Sequence, residues 1–362
     1  MRPLHALILV PALLSAACGT RSVEVADEPT VSSTTLPTTN LPGTALPSTT
    51  TAGATATTSR ADTTTTSTTP STTTTVTPLV FDDEGVPVNG QTDGVVVTPT
   101  DWIVPVLGPA ADGWRVWTPC GRETVIADGE FVADVDIVLD PGHGGIETGA
   151  VGPGGTREAD LNLQVARRAR DLLEAAGYTV MMTRDDDVRV PIVTRAEIAL
   201  ALDPIANISI HHNAGTDQIS TEPGTEMFFQ LASAESRRLA GLLYEETREV
   251  LDPLGSTWFA LSDAGAMGRE NREGGDYYGV LRRPAGVTSV LAEFAYISNP
   301  VEEDLLNRAD VQDGLAGAVR DAVDRFVDTD DPGSGFTVDP IFRGYGPSGA
   351  GRTTDCTDPA LQ

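Results

Sequence analysis

The sequence predicts an α/β fold: a mostly parallel central sheet flanked by helices, with a small β-rich N-terminal subdomain and a disordered linker ahead of it. Three observations carry that expectation. From 134 to 327, short β-branched runs alternate with stretches of helical periodicity, the pattern of strands joined by crossover helices. Residues 81–133 hold closely spaced β-prone runs such as GVVVTPTDWIVPVL, broken by Gly, Pro and Asp. Before them, 19–80 is dominated by Thr, Ser, Pro, Ala and Gly, with too little apolar surface to offset the entropy of ordering.

The chain opens on MRPLHALILVPALLSAAC, in which one early Arg, an apolar run of roughly a dozen residues and small residues before Cys18 have the layout of an export signal. The run is too short to span a bilayer. Ser15, Ala16, Ala17 and Cys18 resemble a bacterial lipoprotein cleavage box, although Ser15 stands where leucine is usual. Residues 1–18 therefore read as a lipoprotein signal peptide, with Cys18 the site of lipidation and plain secretion the alternative. The linker 19–80 follows; at about 3.1 Å per residue in a polyproline-like form, the roughly fifty residues of 28–78 would reach roughly 150 Å from an anchor.

The β-rich subdomain, 81–133, carries Trp102, Trp114 and Trp117 close together. Aromatic residues at strand spacing are expected to pack into a core, and stacking on sugar rings is the other reading. Besides Cys18 the chain has Cys120 and Cys356, on either side of the main α/β unit. In an oxidising exterior such a pair forms a disulfide, which would clamp the Gly/Pro-rich C-terminal tail, 328–362, to the segment before that unit. Two free thiols are the alternative.

Within 134–327 the first strand is expected at 135–140, ended by Pro141 and Gly142. Leu161, Val165, Ala169, Leu172 and Leu173 recur at helical spacing, predicting a helix over 157–176 that Gly177 ends. YTVMMTR at 178–184 reads as the next strand, and VPIVTRAEIALAL as a helix broken at Asp203-Pro204. ANISI then forms a strand that delivers His211, and GTEMFFQ another. A helix follows over 234–251, then a polar, glycine-rich segment 255–280 expected to border a groove, then the late strand GVTSVLAEFAYIS and helices over 301–327.

The formal net charge is −28, and all 24 basic residues are Arg. Acidity on this scale repels phosphate backbones and excludes nucleic acid as a partner. Four histidines occur, at 5, 143, 211 and 212. His5 lies in the leader, so every other histidine falls at one of two strand ends, in IVLDPGHGG and NISIHHNA. Open α/β sheets bind ligands at that edge. GHGG and GPGG are not followed by GK[ST] and do not form GxGxxG before a helix, so a phosphate loop is excluded.

Two histidines and a carboxylate make a three-ligand zinc set with a fourth position open to water. His143, His211 and Glu158, at the head of the first helix, are the candidate metal ligands, although an acid there also suits the helix dipole. A zinc ion polarises a carbonyl and acidifies water. A carboxylate outside the ligand set could carry the proton to a leaving amine, and Glu293 is the catalytic candidate because its neighbours Val290, Leu291 and Phe294 would otherwise bury it without purpose.

These motifs have a family counterpart. Residues 134–327 resemble the zinc-dependent N-acetylmuramoyl-L-alanine amidases of the amidase-3 type, cell-wall hydrolases found here in a secreted lipoprotein form. The resemblance rests on VLDPGHGG, READLNLQVA, TRDDD, SIHHNA and LAEFAYISNP, in the family's order. It implies that His143, Glu158 and His211 bind Zn2+, that Glu293 is the catalytic glutamate, and that the substrate is the lactyl–L-alanine amide of peptidoglycan. The protein would then act outside the cytoplasm, lipid-anchored to the outer face of the cell membrane or secreted into the cell wall; no protein activator is named by the sequence.

Two departures stand out. His212 replaces the usual small residue after the second histidine, and Phe294-Ala295 follows the catalytic Glu where Gly-Phe is usual. His212 and Asn213 are read as second-shell candidates, Asn213 orienting a ligand histidine, while a structural His212 and a turn-forming Asn213 are the plainer readings. Ten residues separate Asn213 from Gly224, too few for the long inhibitory helix that some relatives carry there. A noncatalytic peptidoglycan-binding lipoprotein and a zinc peptidase acting on stem-peptide bonds are the alternative functions.

Overall fold

Period-two alternation of valines builds the first sheet. In the computed structural model, which describes residues 94–215, 224–254, 265–337, 341–342 and 356–362, five strands precede the α/β unit. They are β1 (Val95–Val97), β2 (Ile103–Ala110), β3 (Gly113–Trp117), β4 (Glu123–Ile126) and β5 (Glu130–Val132), all antiparallel in the order β4-β3-β2-β1-β5. Val96, Val104, Val106, Val116 and Ile126 share one face and form a small core, against which Trp102 and Trp114 pack. Val95 points to the other face, where Ile103 and Val132 help join the small sheet to the α/β unit. The leader, Cys18 and the linker lie outside the described residues.

The second sheet comes from the strand–helix alternation. Its elements are β6 (Ile137–Pro141), α1 (Glu158–Ala176), β7 (Val180–Met182), α2 (Ile192–Leu202), β8 (Ala206–Asn213) and β9 (Glu226–Phe229), then α3 (Ala234–Leu251), β10 (Gly265–Met267), β11 (Arg269–Glu270), α4 (Gly279–Arg282), β12 (Ser289–Tyr296), α5 (Pro300–Leu306), α6 (Ala309–Asp328) and β13 (Ile341–Phe342). Strand order is β10-β9-β12-β8-β6-β7. Only the β12–β9 pairing is antiparallel, so the sheet is mostly parallel with β9 and β10 reversed. β11 pairs separately with β13.

Helices α1, α3 and α6 cover one face, where Leu161, Val165 and Leu173 meet Leu239, Leu243, Leu315 and Val319 over Ile137, Leu139, Ile208 and Ile210. Each such fully buried side chain contributes about 1.5–3 kcal/mol. On the opposite face Val138 packs with Ile198 and Leu202 of α2, and Phe228 and Leu291 pack with Leu281 of α4. Among the described residues no helix is long and apolar enough to cross a membrane.

Two sequence expectations change in detail. YTVMMTR is strand only at Val180–Met182; the Thr183 and Arg184 side chains turn inward to Asp140 and the Pro141 carbonyl at the end of β6. The segment 255–280 holds β10 and β11 rather than loop alone; residues 255–264 lie outside the described residues, as do 216–223, where the absence of an inhibitory helix was expected.

Cys120 and Cys356 are joined, with Cα atoms 5.5 Å apart and a sequence separation of 236. Closing so long a loop constrains the unfolded chain by on the order of 5 kcal/mol in the chain-entropy account. Polar bonds reinforce the clasp: Asp358 accepts from the Cys120 amide at 2.8 Å and from Arg122 at 2.7 Å, and Leu361 enters the small sheet's core.

Candidate active site

Strand register sets the site. β8 and β12 pair so that His211 lies opposite Glu293, and β12 and β9 pair so that Glu293 lies opposite Glu226. Three neighbouring strands thus place Glu226, Glu293 and His211 in one row, with adjacent strands about 4.8 Å apart. β6 continues the row on the other side of β8, since the Gly142 amide donates to the Ile210 carbonyl at 3.0 Å. A Cβ on Gly142 would lie 2.0 Å from His211 Nε2, so only glycine lets the two histidine-bearing strand ends meet.

His143 follows with φ +62°, in the left-handed region that a side chain of its size seldom adopts. Two buried arginines hold that turn. Arg195 donates to the carbonyls of Pro141 and His143, each at 2.7 Å, and Arg184 donates to those of Pro141 and Gly142, each at 2.9 Å. Arg195 is itself paired with buried Asp140, which also accepts from Thr183 and Ser209. Burial works against the Asp140 anion, but Arg195 and these hydroxyls outweigh it and hold its carboxyl below the usual range. Arg184 therefore serves the loop through backbone carbonyls.

Glu158 heads α1 and closes the constellation. Its Oε1 lies 3.2 Å from His143 Nε2 and 2.9 Å from His211 Nδ1, while Oε2 accepts from the Ala150 amide at 2.8 Å. One ligand atom from each of the three residues falls within 4.8 Å of the others. Gly149 makes room, since a Cβ there would come within 2.5 Å of Glu158 Oε2 and 2.7 Å of the His143 ring. Burial would raise Glu158, yet its bonds to both histidines hold it well below the usual carboxylate range. Burial also pushes His211 down, toward the neutral imidazole that ligation needs. Two imidazoles and an anionic carboxylate at this spacing fit a divalent zinc ion.

Glu293 has the opposite surroundings. It lines, with His143 and His211, a cavity of about 480 Å³. Its Oε2 is covered and has no hydrogen-bond partner. Burial first, then the nearby Glu158 and Glu226 charges, push its pKa well above the usual range, and Arg269 offsets this only in part. A carboxylate held so is a strong proton acceptor.

Comparison with known proteins now decides the family. The Amidase_3 family, described as N-acetylmuramoyl-L-alanine amidase, matches residues 137–325, just over half of the chain. The chain belongs to this family. It is 30% identical over 223 residues to the N-acetylmuramoyl-L-alanine amidase AmiC of Neisseria meningitidis, covering 53% of each chain. It is also 30% identical over 243 residues to the germination-specific N-acetylmuramoyl-L-alanine amidase of Bacillus subtilis, covering 61% of this chain and 87% of the relative. The chain spans about half the length of the AmiC relatives it matches. Among solved structures, the catalytic domain of CwlV from Bacillus (Paenibacillus) polymyxa is 26% identical, with a TM-score of 0.46, covering 54% of this chain and 99% of that one.

Within this amidase fold the remaining predicted residues separate. His212 points to the opposite face from His211, as alternation requires, and is buried beside Phe294. Its Nδ1 lies 2.8 Å from Asn162 Oδ1, and Asn162 in turn donates to the Gly142 carbonyl at 3.1 Å. His212 thus supports the site from behind. Asn213 does not reach a ligand histidine; its amide donates to Glu226 Oε2. That corrects the expected role: the side chain reaches across β12, which lies between β8 and β9, to Glu226.

Sequence reasoning missed Glu226, Arg269 and Tyr296, which gather behind Glu293. The Tyr296 hydroxyl lies 3.3 Å from Glu226 Oε1, and Arg269 lies 4.0 Å from Oε2. The signal for Glu226 was present in GTEMFF, a carboxylate inside an apolar strand, the same signal that marked Glu293.

Proposed function

We propose that this protein is a zinc-dependent N-acetylmuramoyl-L-alanine amidase that cuts the amide between the lactyl group of N-acetylmuramic acid and the first L-alanine of the stem peptide. The convergence of His143, Glu158 and His211 on one point of a cavity that Glu293 also lines carries this reading. His143, Glu158 and His211 would hold the ion, with Arg184, Arg195 and Asn162 fixing the loop beneath it. When bound, zinc supplies Lewis-acid polarisation of the amide carbonyl and activation of a water molecule. Glu293 takes the proton of the attacking water and returns it to the departing L-alanine nitrogen, so that the leaving group departs as an amine. Its unpartnered oxygen leaves a lone pair free for that proton.

The physiological role that follows is remodelling of peptidoglycan outside the cytoplasm. Export by the 1–18 leader, lipidation at Cys18 and the 19–80 linker would set the enzyme in the wall.

The test is mass spectrometry of purified peptidoglycan treated with the mature protein, with and without a chelator. Stem peptides that begin at L-alanine, lost on chelation and restored by zinc, are expected. Cuts at other peptide bonds would replace the reading with a peptidase, and intact wall carrying bound protein would replace it with a binding role.

A further inference from the structure

Beside the catalytic cavity lies a second cavity of about 580 Å³ that the proposed chemistry does not use. The two share Glu147, and His143 and Glu147 are only four residues apart, a span of at most ~14 Å of chain. A third cavity, of about 540 Å³, adjoins the second through Trp102 and Val188. Together they mark a path from the metal site along the seam between the α/β unit and the small sheet. The family match ends at 137 and 325, whereas Trp102, Pro119, Cys356 and Pro359 in the second cavity come from outside it.

The lining has a distinct chemistry. Trp102 packs on the small sheet's core and also lines both outer cavities. Ile146 is 89% exposed, the most exposed large apolar side chain among the described residues, and it sits on the loop between His143 and Glu147. The charges along the path balance: Glu147 pairs with Arg189 at 2.7 Å and Asp187 with Arg157 at 3.1 Å in the second cavity, and Asp101, Asp185 and Asp186 stand with Arg167, Arg170 and Arg184 in the third. A neutral path with an indole and an isoleucine along it suits a polymer that is uncharged and offers apolar ring faces.

We infer that this path is a binding groove for the glycan strand, in which Trp102 and Ile146 stack on N-acetylhexosamine rings flanking the muramoyl unit held at the metal site. The inference rests on the amidase reading, because a strand whose lactyl carboxyls are amidated to peptides is neutral. Disulfide Cys120–Cys356 then has a place in the groove, since it fixes the tail that forms part of the wall.

The experiment is isothermal titration of the full chain with a soluble oligomer of β-linked N-acetylglucosamine, which is neutral and contains no lactyl amide. Saturable binding is expected, weakened about fivefold to tenfold in Trp102→Ala and in Ile146→Ser. Ile146→Ser, at an exposed position, covers the case in which Trp102→Ala disturbs the small sheet. In the cleavage assay the ratio of kcat/KM for polymeric peptidoglycan to that for a single muramoyl-peptide should fall in both variants, through KM. No saturable binding, binding unchanged in both variants, or displacement by free stem peptide would overturn the groove. Normal amide cleavage without oligomer binding would overturn it alone, whereas oligomer binding without amide cleavage would overturn only the amidase reading.

Discussion

Glu158 and Glu293 stand beside the same two histidines, yet their surroundings drive them apart. Glu158 meets two imidazoles and a backbone amide, and its carboxyl is held well below the usual range. Glu293 meets burial, two like charges and a covered oxygen with no partner, and its carboxyl is held well above. Two carboxylates with separated proton affinities are what a ligand and a base require. The difference lies in what each side chain touches: the first is aimed by a helix start and a glycine loop, the second by the register of three strands.

The largest expected effect comes from breaking the first environment. Replacing His143, His211 or Glu158 with Ala should remove zinc, read by metal analysis, and lower turnover by ~10³-fold or more, since the ion supplies several kcal/mol. Breaking the second gives a different signature. Glu293→Gln should retain zinc at the parent stoichiometry and lose roughly 10²–10⁴-fold in kcat, the usual share of a general base. An active Glu293→Gln protein would end the assignment.

A subtler change tunes the pair without removing either. Glu293 must be ionised to accept a proton, so activity falls as pH drops through its raised pKa. Glu226→Gln removes one of the charges that raise it and should move the acid limb of the pH–rate profile about one unit lower. Arg269→Met removes the compensating cation and should move that limb upward. Opposite shifts in the two variants would sharpen the comparison, and a common direction would show that the cluster acts only through folding.

Glu302 is the control. It is fully buried, Oε2 accepts from the Tyr296 amide, and burial pushes its pKa up to about 8 without any place in the cavity. Because the folded value is raised, its stabilising contribution is full below the unfolded pKa and is lost as pH rises through about 8. Denaturant titrations between pH 5 and 8 should show a decline of up to about 1.4 kcal/mol per pH unit that Glu302→Gln lacks. A raised pKa alone therefore does not mark a catalytic group; cavity and register do.

Much of this was legible in the chain. Strand runs that end in histidine located His143 and His211, and an acid inside an apolar strand located Glu293. Helix α1 was readable from its leucine and valine spacing and its closing Gly177. What local pattern could not supply was pairing: nothing in SIHHNA tells that Asn213 ends beside Glu226, because that follows from β9 joining β12 antiparallel. The arginines that hold the first loop were equally hidden, since Arg184 and Arg195 act on carbonyls more than forty residues away in sequence. Short β10 and β11 were obscured by glycines in a polar segment.

The clasp between Cys120 and Cys356 also sets an order of events during biosynthesis. Its first thiol is made before any strand of the α/β unit and its second after the last helix of that unit, so the bond cannot close until everything between has been synthesised. A chain that stops early keeps a free Cys120 and lacks the Leu361 that fills the small core. Closure of the clasp thus reports that the catalytic unit is complete, and nonreducing electrophoresis of prematurely terminated chains would make that proofreading visible.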